Sequence, residues 1–233
     1  MKVYAINGSA KGEPSNSRAV IAMMQDMLGT GAEVEVVSQI KQYRKSDDSV
    51  FPAMAASDVL FIASSLYVDA LPSTLMAFLE RYAAYLAAQG KEGHASDRKV
   101  GAQRVFACVN CGFYEGEQNA YALDILAHFC AASGLRWSGG VGLGTGEMIE
   151  AVKDAPPEMF IRKPVTRVLR SLADSIAFEP DGALAENIFA HHGMPRFLYK
   201  LAGEARAREQ AKENGLKTRD LFRRPLGKAL KKK

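Results

Sequence analysis

Residues 6–17 have the sequence Ile6-Asn7-Gly8-Ser9-Ala10-Lys11-Gly12-Glu13-Pro14-Ser15-Asn16-Ser17. They follow an apolar run at residues 3–6 and precede an amphipathic segment at residues 20–28, which predicts a strand, a loop and a helix. A helix N-terminus presents unpaired backbone N–H groups and a partial positive charge. Glycine and small hydroxyl residues let a phosphate approach those donors, so the loop is a candidate anion site. An ordinary turn capped by Ser15 or Ser17 is the alternative.

Two familiar phosphate motifs are excluded by their spacing. A P-loop needs Lys-Ser or Lys-Thr after its second glycine, but Gly12 is followed by Glu-Pro. The dinucleotide fingerprint Gly-x-Gly-x-x-Gly is absent, because Gly8 is followed by Ser-Ala. The glycine-rich residues 139–146 also fail that spacing, and we interpret them as the end of a strand and a loop. The opening loop therefore suits a terminal monophosphate.

The composition is that of an ordinary soluble globular protein, with 48% hydrophobic and 24% charged residues in 233. No apolar run reaches the roughly 18 residues of a membrane span, so no transmembrane segment is expected. The N-terminus enters a strand directly, without the pattern of a secretory signal. The odd number of cysteines, three, argues against a disulfide framework and predicts a cytoplasmic protein.

Charge is unevenly distributed along the chain. Residues 196–233 hold 13 Lys or Arg and 4 Asp or Glu, a net charge of +9, whereas residues 1–195 have a net charge of −5. Such a tail could bind nucleic acid or an anionic membrane surface. However, acidic residues dilute the charge, and Phe197, Leu198 and Leu201 indicate that one face of a helix docks. We expect a packed extension or a dimer arm, and we do not expect nucleic acid as a partner.

Apolar periodicity predicts five strands separated by helices. The strands are at residues 3–6, 34–37, 59–63, 105–109 and 137–143. The third and fourth are apolar throughout, as in central strands covered on both faces, and the second alternates, as at an edge. Alternating strands and helices predict parallel right-handed crossovers and a three-layer α/β/α sandwich. The second strand fits an edge in the order 2-1-3-4-5, in which the fifth strand is the other edge.

The helix pattern continues to the C-terminal region. Helices are predicted from near Pro72 through residue 86, at residues 122–129 with Gly134 as the C-cap, and at residues 165–176. A short helix near residues 184–190 and a longer one from about 195 to 214 follow. We therefore predict a core domain at residues 1–178 and a helical, basic C-terminal extension at residues 179–233 that packs on it.

Ligands of open α/β sheets bind outside the carboxyl ends of the strands, where the strand order reverses. Here that crevice lies between the first and third strands. The loops after the third and fourth strands, residues 64–73 and 110–119, carry aromatic rings, small residues and glycine. Together with the opening loop they offer a phosphate cradle and two edges of a flat pocket.

Three segments resemble the flavodoxin-like NAD(P)H-dependent FMN reductase and quinone reductase superfamily, over residues 1–150. The segments are Asn7-Gly8-Ser9 with Ser15-Asn16-Ser17, Leu66-Tyr67-Val68-Asp69-Ala70-Leu71-Pro72, and Cys111-Gly112-Phe113-Tyr114. The resemblance implies that the first loop holds the FMN phosphate and that the other two contact the isoalloxazine. The implied FMN contacts are Ser9, Lys11, Ser15, Asn16, Ser17, Leu66, Tyr67, Val68, Asp69, Asn110, Cys111, Gly112, Phe113 and Tyr114.

The resemblance implies an NAD(P)H-dependent oxidoreductase whose bound FMN passes hydride or electrons to a quinone, a flavin or a similar small acceptor. No catalytic side chain and no metal are required. A homodimer is expected, with the partner covering part of the flavin pocket. Two alternatives stay open: a non-enzymatic flavodoxin-like electron carrier, and an FMN-binding module without activity. Tyr67, Phe113 and Tyr114 either shape the acceptor pocket or serve packing.

Two further patterns have simpler explanations. Cys108 and Cys111 have the C-x-x-C spacing but lie at a strand end, where Cys108 is predicted to face the core, and no second pair completes a zinc site. His191 and His192 are adjacent and are interpreted as packing residues.

Overall fold

A six-stranded parallel sheet forms the centre of the protein in the computed structural model, which describes residues 1–38, 41, 45–91, 103–178 and 181–223. Its strands are β1 Lys2–Asn7, β2 Glu33–Ser38, β3 Val59–Ser65, β4 Arg104–Asn110, β5 Arg136–Leu143 and β6 Ile188–Ala190. Their spatial order is β2-β1-β3-β4-β5-β6. The five predicted strands, their order and the edge position of β2 are thereby confirmed.

The sixth strand corrects the sequence prediction, which gave five strands, placed β5 at an edge and expected a helix near residues 184–190. Val141 of β5 pairs with Ile188 of β6 in parallel. The backbone N–H of Gly140 donates to Asn187 Oδ1 at 3.0 Å. Gly142 permits the close approach, since a Cβ there would lie 2.6 Å from Phe189 Cδ1. An apolar edge with unpaired backbone groups is costly, and this short segment covers it.

Helices cover both faces of the sheet. They are α1 Asn16–Leu28, α2 Phe51–Ala56, α3 Ser73–Lys91, α4 Ala120–Ser133, α5 Glu147–Ala151, α6 Lys163–Ala177 and α7 Arg196–Glu213. Buried residues of α2, α3 and α4 form one apolar core, and those of α1 and α6 form the other. As predicted, α3 begins directly after Pro72, and α4 ends at Gly134, which has a φ of 66°. The arrangement is the predicted three-layer sandwich.

A buried arginine joins the sheet to the C-terminus of α6. Arg104, the first residue of β4, is buried, and its guanidinium donates to four backbone carbonyl oxygens. The acceptors are Ser175 O at 3.1 Å, Phe178 O at 3.2 Å, Gly182 O at 3.2 Å and Ile176 O at 2.9 Å. The last carbonyls of a helix lack intrahelical partners and carry partial negative charge, so the cation satisfies both needs.

The chain divides into two compact units, Met1–Gly193 and Met194–Lys233. The first contains the complete sheet. In the second, α7 is followed by Gly215 at a φ of 72° and by a short 3₁₀ turn at Thr218–Phe222. The side chains of Phe197, Leu201 and Phe222 are exposed. Among the described residues, the helices are all too short or too polar to cross a bilayer.

Candidate functional site

The loops that follow four of the parallel strands lie together, because the carboxyl ends of these strands are on the same side of the sheet. Asn7 of β1 is aligned with Ala63 of β3, and Asn110 of β4 is aligned with both Ser65 and Leu143. A crevice of about 440 Å³ opens at the carboxyl ends of these strands. Its lining residues are Ser9, Lys11, Pro14, Ser15, Asn16, Ser65, Leu66, Tyr67, Asn110, Cys111, Gly112, Gly146, Glu147 and Glu150. Nine of the fourteen predicted FMN contacts are therefore brought together.

The first loop is organised by the buried side chain of Asn7. Its Oδ1 accepts hydrogen bonds from the Ser9 backbone N–H at 3.2 Å and from Ser15 Oγ at 3.4 Å. Its Nδ2 donates to Gly12 O at 3.3 Å. The Ser9 hydroxyl accepts from the backbone N–H of Lys11 at 3.2 Å. One buried amide thus fixes the path of the loop around the crevice.

Ser15 is the N-cap of α1, and its Oγ accepts from the backbone N–H of Arg18 at 3.2 Å. The α1 N-terminus lines the crevice with Ser15 and Asn16. First-turn amides point out of a helix end without intrahelical partners, so this end attracts anions. Ser17 is placed differently: it is buried, and its hydroxyl lies 3.4 Å from Ser65 Oγ, tying α1 to the end of β3.

The loop after β3 is a tight hairpin. The backbone N–H of Tyr67 donates to Ala70 O at 2.8 Å, and that of Ala70 donates to Tyr67 O at 3.0 Å. Between them, Val68 and Asp69 adopt φ values of 48° and 57°. Leu66 and Tyr67 line the crevice, whereas Val68 and Asp69 do not. Val68 is 98% exposed at the tip, so this half of the hairpin projects into solvent.

The loop after β4 supplies a wall of the crevice. Asn110 is buried, and its Nδ2 donates to Ser64 O at 2.8 Å, which joins the ends of β3 and β4. Cys111 is also buried, and desolvation raises the pKa of its thiol, so the thiolate is disfavoured near neutral pH. A Cβ built on Gly112 meets open space, so the crevice reaches the backbone there.

Two predicted contacts in this loop lie outside the crevice. Phe113 is 57% exposed and its side chain does not line the crevice. The ring of Tyr114 packs against His191, with 4.3 Å between ring centroids. Their roles in cofactor binding stay predictions. The core position of Cys108 is confirmed.

The loop after β5 contributes residues that the sequence analysis did not assign to the site. Gly146, Glu147 and Glu150 line the crevice, together with Ser65 at the end of β3. The position of this loop could have indicated its role, because a loop that follows a buried parallel strand lies at the carboxyl ends of the strands, with the other loops of the site. Residues 139–146 match no nucleotide motif, so their spacing does not mark this loop as part of a site.

Charges of both signs face the crevice. Lys11 belongs to the loop before α1, while Glu147 and Glu150 belong to α5, and Glu150 also lies near Ser15 at the α1 N-terminus. Glu150 is paired with Lys153 at 2.6 Å, which reduces its negative field. Lys11 and the partial positive charge of the α1 N-terminus both favour an anion at the crevice.

A buried pair lies behind the loop after β5. His192 Nδ1 is 2.9 Å from Thr145 Oγ1, and the His192 backbone N–H donates to the same oxygen at 2.9 Å. Burial, with smaller effects of His191 and Arg162, lowers the pKa of His192 to about 4. The imidazole is therefore neutral at neutral pH.

Residues 1–132 match the family of NADPH-dependent FMN reductases. No curated protein matches the chain in sequence.

Several solved structures are similar. An NADH:FMN oxidoreductase in its apo form is 17% identical over 84% of this chain and 97% of its own, with a TM-score of 0.56. A flavone reductase is 10% identical over 80% of this chain and 66% of its own, with a TM-score of 0.54. An oxidoreductase from Corynebacterium diphtheriae is 11% identical over 76% and 95%, with a TM-score of 0.52. At these identities the likeness shows a shared flavodoxin-like fold.

Proposed function

This chain belongs to the NADPH-dependent FMN reductase family, and we propose that its crevice holds FMN, with the phosphate at the α1 N-terminus. The protein is an NAD(P)H-dependent flavin oxidoreductase, with FMN as cofactor and NAD(P)H as co-substrate. When bound, FMN supplies the hydride transfer between NAD(P)H and an acceptor. We propose that the acceptor is a quinone, a flavin or a similar small molecule.

The residues present fit FMN. The volume of about 440 Å³ lies within the range of roughly 300–1,000 Å³ that is typical of small-molecule sites. Ser15, the first-turn amides of α1 and Lys11 suit a phosphate. Half-exposed Tyr67 and the open backbone at Gly112 suit a flat ring. This convergence of a capped helix end with an open crevice is the observation that carries the proposal.

The chain's own groups would bind and orient the cofactor. Lys11 and the α1 N-terminus offset the phosphate charge. The carboxylates of Glu147 and Glu150 can accept hydrogen bonds from ribityl hydroxyls. The Cys111 thiol stays protonated, because burial raises its pKa, and so offers no thiolate nucleophile.

We also propose a homodimer and a cytoplasmic location. The exposed apolar side chains of Tyr67, Val68 and Phe113, in the loops after β3 and β4, support the first, because exposed apolar surface marks interaction sites. The three free cysteines support the second. Of the predicted extension, residues 181–193 belong to the first unit, whereas packing of residues 194–233 on the core stays a proposal.

Flavin reconstitution tests the proposed function. Apoprotein added to FMN is expected to quench FMN fluorescence and shift its visible bands, with saturation at one FMN per chain. Steady-state oxidation of NADH and NADPH, with a quinone or free flavin as acceptor, should then show turnover. Binding without pyridine-nucleotide turnover would indicate an electron carrier instead. Absence of binding would contradict the assignment of the crevice.

Ser15 variants test where the phosphate lies. Asp and Asn cap helices as well as Ser does, so Ser15→Asp and Ser15→Asn should melt within about 2 °C of each other. They differ only in charge beside the proposed phosphate. We expect Ser15→Asp to bind FMN at least about tenfold more weakly than Ser15→Asn at low salt. Fluorescence titration measures both dissociation constants.

Salt provides the internal control for this comparison. The difference between Ser15→Asp and Ser15→Asn should shrink as ionic strength rises, because screening weakens charge repulsion. Equal dissociation constants at low salt would place the phosphate elsewhere.

A further inference from the structure

A hydrogen-bonded clasp, Thr145 with His192, holds the loop after β5 from behind the crevice. Thr145 lies two residues after β5 and directly before Gly146, which lines the crevice. Both members of the clasp are buried. Their contacts at 2.9 Å join positions that are 47 residues apart.

The clasp holds a backbone conformation that threonine does not favour. Thr145 has a φ of 54°, in the left-handed region, where a β-branched side chain is strained. Strain of this kind persists only where the surrounding structure enforces it. The hydroxyl of Thr145 also lies 2.6 Å from Gly144 O, so its contacts fix both the side chain and the turn.

This turn is joined directly to the loop after β4. The backbone N–H of Thr145 donates to Phe113 O, and that of Gly146 donates to Cys111 O at 2.7 Å. A Cβ on Gly144 would overlap Tyr114 O, so the two loops are in backbone contact. The position of Thr145 therefore sets the position of a crevice wall that includes Cys111.

The segment after β6 holds both loops at once. The backbone N–H of Gly144 donates to Ala190 O at 2.8 Å. His191 packs on the ring of Tyr114, and His192 holds Thr145. Two adjacent histidines thus face two successive crevice loops.

We propose that His192 is a positioning residue for the flavin crevice, acting through Thr145 to fix the wall formed by residues 111–112 and 146–147. This inference rests on the proposed function. His192 does not line the crevice, so its effect on FMN is transmitted by the backbone of the Thr145 turn. Removing the clasp should let that turn relax from its strained conformation and shift the wall.

The test measures FMN affinity and apoprotein stability separately. In Thr145→Ala and in His192→Leu, we expect the FMN dissociation constant, from fluorescence quenching, to rise at least about tenfold. The melting temperature of each apoprotein is recorded in parallel. Thr145→Ser keeps the hydroxyl and should recover most of the affinity. The double variant Thr145→Ala/His192→Leu should bind as weakly as either single variant, because both changes break one contact.

A matched control separates positioning from general destabilisation. Ser57 is buried just before β3, at the amino ends of the strands and so opposite the crevice. Its hydroxyl donates to Met54 O at 2.8 Å. Ser57→Ala should lower the melting temperature without changing the FMN dissociation constant.

The outcomes distinguish the two proposals. If wild-type protein binds FMN and the clasp variants bind it equally well, the positioning role is overturned and the proposed function stands. Additive losses in the double variant, or equal losses in Ser57→Ala, overturn it as well. If wild-type protein binds no FMN, the proposed function fails, and the inference with it.

Discussion

Replacing Arg104 with methionine is expected to lower the free energy of unfolding by about 3 kcal/mol. Methionine fills much of the same volume but donates no hydrogen bond. The four carbonyl oxygens that Arg104 satisfies would lose this donor in a buried place. The partial negative charge at the end of α6 would also lose its cation. Urea unfolding, followed by fluorescence of the single tryptophan, Trp137, measures the change.

Arg136→Met is the matched control for this prediction. Arg136 opens β5 beside Arg104, but its partner Asp181, at 2.9 Å, is largely exposed. Exposed ion pairs contribute about 0–1 kcal/mol, so this variant should remain close to wild type. FMN affinity should be unchanged in both variants, because Arg104 and Arg136 lie at the amino ends of their strands, whereas the crevice lies at the carboxyl ends. Similar stabilities of Arg104→Met and Arg136→Met would contradict the structural role.

Gly112→Trp is expected to raise the FMN dissociation constant at least about 100-fold, which corresponds to roughly 2.7 kcal/mol. A Cβ on Gly112 meets open space, so the tryptophan side chain can leave the backbone there without a clash at its first atom. That open space adjoins the crevice, where the ring would compete directly with the flavin. The apoprotein melting temperature should stay within about 2 °C of wild type, as for surface substitutions.

The control for steric blocking is Gly31→Trp. Gly31 lies in the short turn after α1, and a Cβ there also meets open space. Gly31 is distant from the crevice, because the N-terminus of α1 lies at the carboxyl ends of the strands and Gly31 follows the C-terminus of α1, at the amino ends. FMN titrations should therefore give the wild-type dissociation constant for Gly31→Trp. Wild-type affinity in Gly112→Trp would mean that the flavin does not occupy the crevice.

The local pattern of the sequence was sufficient for most of the sheet and its helices. The apolar runs at residues 59–63 and 105–109 are long enough to identify the buried strands Val59–Ser65 and Arg104–Asn110. Gly134 marks the end of α4 because a left-handed C-cap favours glycine. Such signals depend on a few neighbouring residues, which a sequence displays directly.

What could not be predicted depends on tertiary contacts. The three-residue strand β6 has too short a pattern to identify, and only pairing with β5 makes it a strand. A charged residue before an apolar run, such as Arg104, is usually exposed, but here α6 buries it. His192 reaches Thr145 across 47 positions, a contact that no local periodicity reveals.

Within the site, prediction succeeded for loop positions and was less complete for side chains. Ser15 was identified as a possible cap, and the structure confirms that it caps α1. Positive φ is usually indicated by glycine or asparagine, and Val68 and Asp69 are neither. The hairpin that turns Val68 into solvent was therefore not predicted. Ser17 fits the phosphate loop by composition, but its hydroxyl contacts Ser65 instead.

The sixth strand also determines when the crevice can be completed during synthesis. The loop after β1 that lines the crevice leaves the ribosome first, whereas Ala190 and His192, which hold the turn at Thr145, emerge after almost the whole first unit. A nascent chain that ends before β6 has every strand that surrounds the crevice but lacks the hydrogen bonds that hold its far wall. The hydrogen bonds that hold this wall therefore form only when the first unit is almost completely translated.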